Sequence, residues 1–298
     1  MNAIPVFYSE DLLAESGTRS PSPGKPKPVV EAWRSAELPI DVRPIRPATV
    51  EELSLAHDPY FVRAILACEA ENGFWNRHAD VAHSLPYTSG SMLCAARGAL
   101  EAGVACAPVS GFHHAGYTSA TMFCTFNGLV VAARKLLQEQ HVKRVLILDL
   151  DFHYGNGTDE IIERLKLGAE IENVTFGQWY CAPTQAERYL EHLSRVVGRF
   201  ADFDLILYQA GADLHVNDPL GGVLDSEQMR QRDRIVFEGA KREGVPVAWD
   251  LAGGYQGANR QGNPYSPRNN GGMRAGVRPF GLCQFRPVIN GQADHYGG

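Results

Sequence analysis

The 298-residue chain has no stretch approaching the ~18 consecutive apolar residues that a membrane-spanning helix requires. Its opening, MNAIPVFYSEDLLAES, lacks a basic segment followed by a long apolar run, so no secretory leader is expected. The six cysteines, Cys68, Cys94, Cys106, Cys124, Cys181 and Cys283, include no CxxC pair and no regular spacing. Most have apolar neighbours, which points to buried free thiols in a reducing compartment and to a cytoplasmic protein. A clustered basic excess is missing as well. The net charge of −6 and pI near 5.9 argue against nucleic acid as a partner. In residues 256–298 five arginines face Asp294 alone, which leaves the first 255 residues at about −10, a body suited to a substrate with a cationic part. No internal repeat of about 20–50 residues is visible.

What is present is a globular composition, 44% hydrophobic and 21% charged, which excludes disordered, collagen-like and coiled-coil classes. A core of this size buries roughly three quarters of the unfolded surface, so no metal is needed to staple the fold. Any metal would serve chemistry.

Residues 18–28, TRSPSPGKPKP, read as a surface loop, because closely spaced prolines suit neither helix nor central strand. ATVEELSLAHD follows as a helix with Thr49 as N-cap, and residues 89–103 form a helical stripe ending at Gly103. The chain then alternates. Helices are expected over 127–140, 184–199 and 225–243, and short apolar strands over 144–150, 204–210 and 245–251. This order predicts an α/β fold, one domain with a mainly parallel sheet covered on both faces by helices. Residues 257–298, with nine glycines and no lysine, show neither periodicity and are expected to be irregular or aberrant.

In such sheets ligands bind beyond the carboxyl ends of the strands. The three predicted strands run there into LDLDFHYGNGT, QAGADLHVNDPLGG and DLAGGYQ. Asp149, Asp151 and His153 are spaced two apart, so an extended chain would project all three to one side. Carboxylates crowded in this way repel unless a cation lies among them. Oxygen and nitrogen donors are what zinc accepts, and Asp213 can supply a third. A lone DxH is more often a solvated turn with a structural histidine; adding Asp213 and the glycine-rich third strand end reverses that judgement. His113 and His114 need partners to fix their tautomers, and Asp149 and Asn156 are available. Tyr255 follows Gly253 and Gly254 and could donate to an oxyanion; without packing behind it the phenol would swing freely. His57, His78, His83, His141, His192, His215 and His295 read as structural or solvated.

The segments GFHHAGYTSATMFCTFN, VLILDLDFHYGNGT, AGADLHVNDPLGG and LAGGYQ resemble, in order and spacing, the histone deacetylase/acetylpolyamine amidohydrolase family of the arginase-like fold. The resemblance covers residues 1–256 as a deacetylase-like catalytic domain and leaves 257–298 outside it. It implies zinc, or Fe²⁺, held by Asp151, His153 and Asp213, with His114 as general base and acid and His113 as its electrostatic neighbour. It implies that Asp149 orients His113 and helps hold a structural monovalent cation such as K⁺, and that Asn156 orients His114. Tyr255 would hydrogen-bond the substrate carbonyl, and Phe123 would line a tunnel for an acyl-lysine-like chain. Met122 stands where the family usually has glycine, and GQWYCAPTQ replaces a PGTG-like loop after the strand near Phe176. Two functions follow: hydrolysis of an acyl amide, most simply acetyl, on a lysine-like or polyamine-like amine, or a silent scaffold that binds acylated partners. The complete set of three ligands, two histidines and a tyrosine favours the enzyme. The acyl donor and the oligomeric state are left open by the sequence.

Overall fold

The computed structural model describes residues 3–18 and 20–255; the expectation for 257–298 lies outside them. Seven parallel strands form a single sheet among the described residues, in the order β2-β1-β3-β7-β6-β4-β5. They are β1 (Ile4–Phe7), β2 (Ile40–Arg43), β3 (Val104–Cys106), β4 (Val145–Asp149), β5 (Ile171–Thr175), β6 (Leu205–Gln209) and β7 (Val247–Asp250). The helices are α1 (Pro26–Ser35), α2 (Val50–Leu53), α3 (Pro59–Leu66), α4 (Ala79–Ala102), α5 (Gly128–Gln138), α6 (Asn156–Arg164), α7 (Ala186–Val197) and α8 (Ser226–Glu243).

Both sheet faces are covered, which is why the central strands are apolar throughout. In β4, Val145 and Ile147 enter one core with α4 and α5, while Leu146 and Leu148 enter the other with α7 and α8. β6 divides in the same way, with Leu205 and Leu207 on one side and Ile206 and Tyr208 on the other.

The Pro-rich segment is not all loop. α1 begins at Pro26, and Pro28 falls in the same first turn, where a missing N–H leaves no helical bond unmade. α4 starts ten residues before the expected Ser89 because it continues through Pro86. α2 is only four residues long, although Thr49 and Glu52 form a full capping box at its start.

The register decides where chemistry can occur. Asp149 at the end of β4 pairs with Thr175 of β5 and Gln209 of β6, and Gln209 pairs with Asp250 of β7. A row of buried polar residues therefore lies across the carboxyl edge of the sheet.

Candidate metal and acid–base site

Beyond Asp149 the chain bends, and β4 does not continue through His153. Asp151 and His153 still converge, for a different reason than strand alternation. Asp149 Oδ1 accepts the Asp151 N–H at 3.2 Å, and Asp151 Oδ1 accepts the His153 N–H at 3.0 Å. Each acid thus folds the next two residues back on itself.

His153 Nδ1 lies 3.1 Å from Asp151 Oδ1 and 3.0 Å from Asp213 Oδ2. One donor atom from each of Asp151, His153 and Asp213 falls within 4.8 Å of the others, with both acids buried. A divalent cation fits this set: two carboxylates and one imidazole nitrogen face a common point, and three protein donors leave room for a further ligand. Without a cation the charges distort one another. Burial and then the Asp151 carboxylate push Asp213 up to about 7. Asp151 is also buried, yet His113 and His153 outweigh that penalty and hold its carboxyl well below the usual range. Burial would lower His153, but its hydrogen bonds to Asp151 and Asp213 raise it to about 10.

The adjacent histidines are separated electrostatically. His113 Nδ1 is 2.8 Å from Asp149 Oδ2, and His114 Nδ1 is 2.7 Å from Asn156 Oδ1. Burial opposes charge on His113, but Asp149 and Asp151 prevail and raise it to about 9. His114 has only an amide as its partner. Burial and then the neighbouring His113 lower it to about 4, so it is neutral, with Nδ1–H donated to Asn156 and Nε2 free to accept. The imidazole rings of His114 and His153 have centroids 6.0 Å apart.

Tyr255 lines the same cleft, together with Phe123, Met122 and Leu220. Its N–H donates to Asp218 Oδ2 at 2.7 Å, and its ring centroid lies 6.1 Å from that of Phe123. Two side chains tie the backbone of this loop: Asp218 accepts the Tyr255 N–H, and Lys25 Nζ donates to the Leu251 and Gly253 carbonyls. The expectation that 257–298 leave the phenol without packing behind it lies outside the described residues. Burial, followed by the Asp151 and Asp213 charges, drives the phenol above its ordinary pKa and keeps it protonated.

Sequence reasoning missed Gln209, Asp218 and Lys25. Gln209 Nε2 donates to Asp149 Oδ1 at 3.1 Å, and its Oε1 accepts the Phe112 N–H at 3.0 Å, so it joins the aspartate to the segment carrying both histidines. A glutamine ending an otherwise apolar strand was the available signal.

Met122 and Phe123 both have positive φ, 47° and 66°. A side chain there costs roughly 1–2 kcal/mol, which explains why glycine suits position 122. Met122 is 43% exposed and loses little packing if removed. Met122→Gly is expected to raise the unfolding free energy by up to about 1 kcal/mol in urea titrations, after the entropy of glycine is subtracted; a clear loss of stability would refute the strain.

His57 fastens the histidine-bearing segment: its Nδ1–H donates to the Gly116 carbonyl at 2.9 Å and its Nε2 accepts the Asn127 N–H at 2.8 Å. Burial lowers its pKa from 6.5 to about 4 despite the carbonyl. The unfolded chain therefore binds a proton at this residue near pH 6.5, whereas the folded chain resists until near pH 4. Its contribution is present above pH 6.5 and falls by on the order of 3 kcal/mol as pH drops towards 4. Urea unfolding of wild type and His57→Gln between pH 7 and 4.5 checks this: the wild type should lose the advantage it holds at pH 7, and parallel curves would contradict the assignment.

The sequence profile of the histone deacetylase domain matches residues 21–180. An uncharacterized protein of Picosynechococcus is 31% identical over 238 residues, covering 68% of this chain and 75% of that protein. Histone deacetylase 5 of Arabidopsis thaliana is 32% identical over 161 residues, 43% of this chain and 24% of its own length. The polyamine deacetylase HDAC10 of Rattus norvegicus is 30% identical over 133 residues, 39% and 22% respectively. The chain thus spans about a quarter of the length of these two named deacetylases. In structure it superposes on the crystal structure of the HDA15 HD domain with a TM-score of 0.71 at 21% identity, covering 86% of this chain and 85% of that one, which establishes the shared fold.

Proposed function

The chain belongs to the histone deacetylase family, and from that premise we propose that it is a zinc-dependent amidohydrolase that removes an acyl group, most simply acetyl, from a lysine-like or polyamine-like amine. The observation that supports this reading is one cleft in which Asp151, His153 and Asp213 converge beside a neutral His114 held at Nδ1 by Asn156.

A divalent cation bound by the three ligands supplies a Lewis acid for the amide carbonyl and acidifies water. His114 Nε2 takes the proton of the attacking water as its oxygen bonds to the carbonyl carbon, because Asn156 occupies the other ring nitrogen. His113, charged and tied to Asp149, sets the potential at its neighbour without carrying the transferred proton. The Tyr255 phenol donates a hydrogen bond to the developing oxyanion. As the carbon–nitrogen bond breaks, His114 returns its proton to the leaving amine, and the carboxylate and free amine depart.

The test is hydrolysis of an acetyl-lysine peptide and of an acetylated polyamine by the purified, metal-analysed protein, with and without a chelator. Release of acetate that the chelator stops and Zn²⁺ restores supports the proposal. Binding of either compound without turnover, at full metal loading, would overturn it.

A further inference from the structure

We infer that Lys25 is a positioning residue for Tyr255, its Nζ clasping the carbonyls of Leu251 and Gly253 and so fixing the loop from β7 to the phenol. The inference rests on the catalytic role proposed above for Tyr255.

The clasp joins segments far apart in the chain. Lys25 stands at the N-cap of α1 with its own N–H donated to the Pro21 carbonyl at 3.0 Å, and Pro26 directly after it restricts the backbone. That anchors the root of the side chain. At the other end, β7 hands over to residues 251–254. The Leu251 N–H donates to the Val109 carbonyl at 2.9 Å, the Ala252 N–H to Asp250 Oδ1 at 3.1 Å, and the Ala252 carbonyl accepts the Ala212 N–H at 2.8 Å. The Leu251 and Gly253 carbonyls are the groups that Lys25 takes.

Beyond Leu251 the backbone reaches Gly253 and Gly254, with φ of 55° and 89°, the place in this loop where rotation is easiest. Gly253 also passes so close to Asp213 that an added Cβ would lie 2.4 Å from its carboxyl carbon. A small turn of this backbone would therefore move the phenol relative to the metal ligands. Lys25 holds the loop at Leu251, ahead of the pair, and at Gly253 within it, and Asp218 holds it at the Tyr255 N–H.

An ammonium is not placed inside a protein without compensation. Burial lowers Lys25 to about 8, and Asp250 is the foremost of the carboxylates that oppose this. Asp250 Oδ2 is itself buried with no hydrogen-bond partner among the described residues. A lysine that merely covered the surface would not need the two carbonyls.

Steady-state kinetics on an acetyl-lysine peptide test the inference, using the full, zinc-loaded chain as wild type, Lys25→Met, Lys25→Arg, Tyr255→Phe and the Lys25→Met/Tyr255→Phe double variant. Lys25→Met should lower kcat by about tenfold to a hundredfold, approaching the loss expected for Tyr255→Phe, with KM and zinc content little changed. Lys25→Arg, which keeps charge and donors, should recover most of that loss. In the Tyr255→Phe background Lys25→Met should cost less than about threefold, because its effect passes through the phenol. Equal losses from Lys25→Met in both backgrounds would overturn the inference, as would full activity of Lys25→Met. A fully active Tyr255→Phe would instead refute the role of the tyrosine, which separates the two failures. If Lys25→Met does not fold, Lys25→Gln, retaining a donor without the charge, carries the same cycle with the same criteria.

Discussion

His114→Ala is expected to lower kcat on an acetyl-lysine peptide by a factor of about 10² to 10⁴, the usual range for a lost general base, while bound zinc stays at the wild-type level. The reason is the difference between the two neighbouring imidazoles. His114 is neutral, its Nδ1–H is spent on Asn156, and Nε2 remains to accept a proton. It is not among the three converging ligands, so its removal leaves them in place. His113→Ala should be milder, because His113 acts by its charge and its bond to Asp149. Single-turnover rates and metal analysis of both variants decide the matter. A His114→Ala protein with wild-type turnover would reject the assignment.

The other large effect concerns Asp213. Asp213→Asn should abolish stoichiometric zinc binding and turnover together. It should also reverse a stability difference. In chelator, ionising Asp213 is unfavourable because burial and Asp151 both oppose its charge, so the variant should unfold no more easily than wild type. With zinc at a hundred times its dissociation constant, wild type should gain about 2.7 kcal/mol by mass action, and the variant nothing. Denaturant titrations with and without zinc measure both. An equal zinc-induced gain in wild type and Asp213→Asn would remove Asp213 from the ligand set.

The parts of this molecule legible in its sequence are those whose signal is local. β4, β6 and β7 stand out because both sheet faces are buried and each strand is a short apolar run. Asp151 and His153 stand out because they lie two residues apart, although bends and carboxylate–amide bonds bring them together where an extended strand was expected. Asn156 stands out because it begins α6 three residues after His153, although the His114 it orients lies 42 positions away. What stayed hidden depends on distant pairing. Lys25 and Gly253 are 228 positions apart, and Gln209 and Phe112 are 97; no spacing rule reaches that far. Proline misled at residues 18–28, since it is tolerated in the first turn of α1. The expected start of α4 falls ten residues late, because the apolar stripe from Ser89 is the visible signal while the helix runs on through Pro86. The rim was legible only as a difference: Met122 in place of glycine marks a left-handed backbone position without saying how the cleft adapts to it.

The most direct measurement is a zinc titration of the chelator-stripped full chain, following bound metal and acetate release from an acetyl-lysine peptide in the same samples. The account predicts that both rise together and saturate at a single equivalent per chain in wild type, and that neither rises in Asp213→Asn. Full turnover by protein that holds no divalent cation would contradict it.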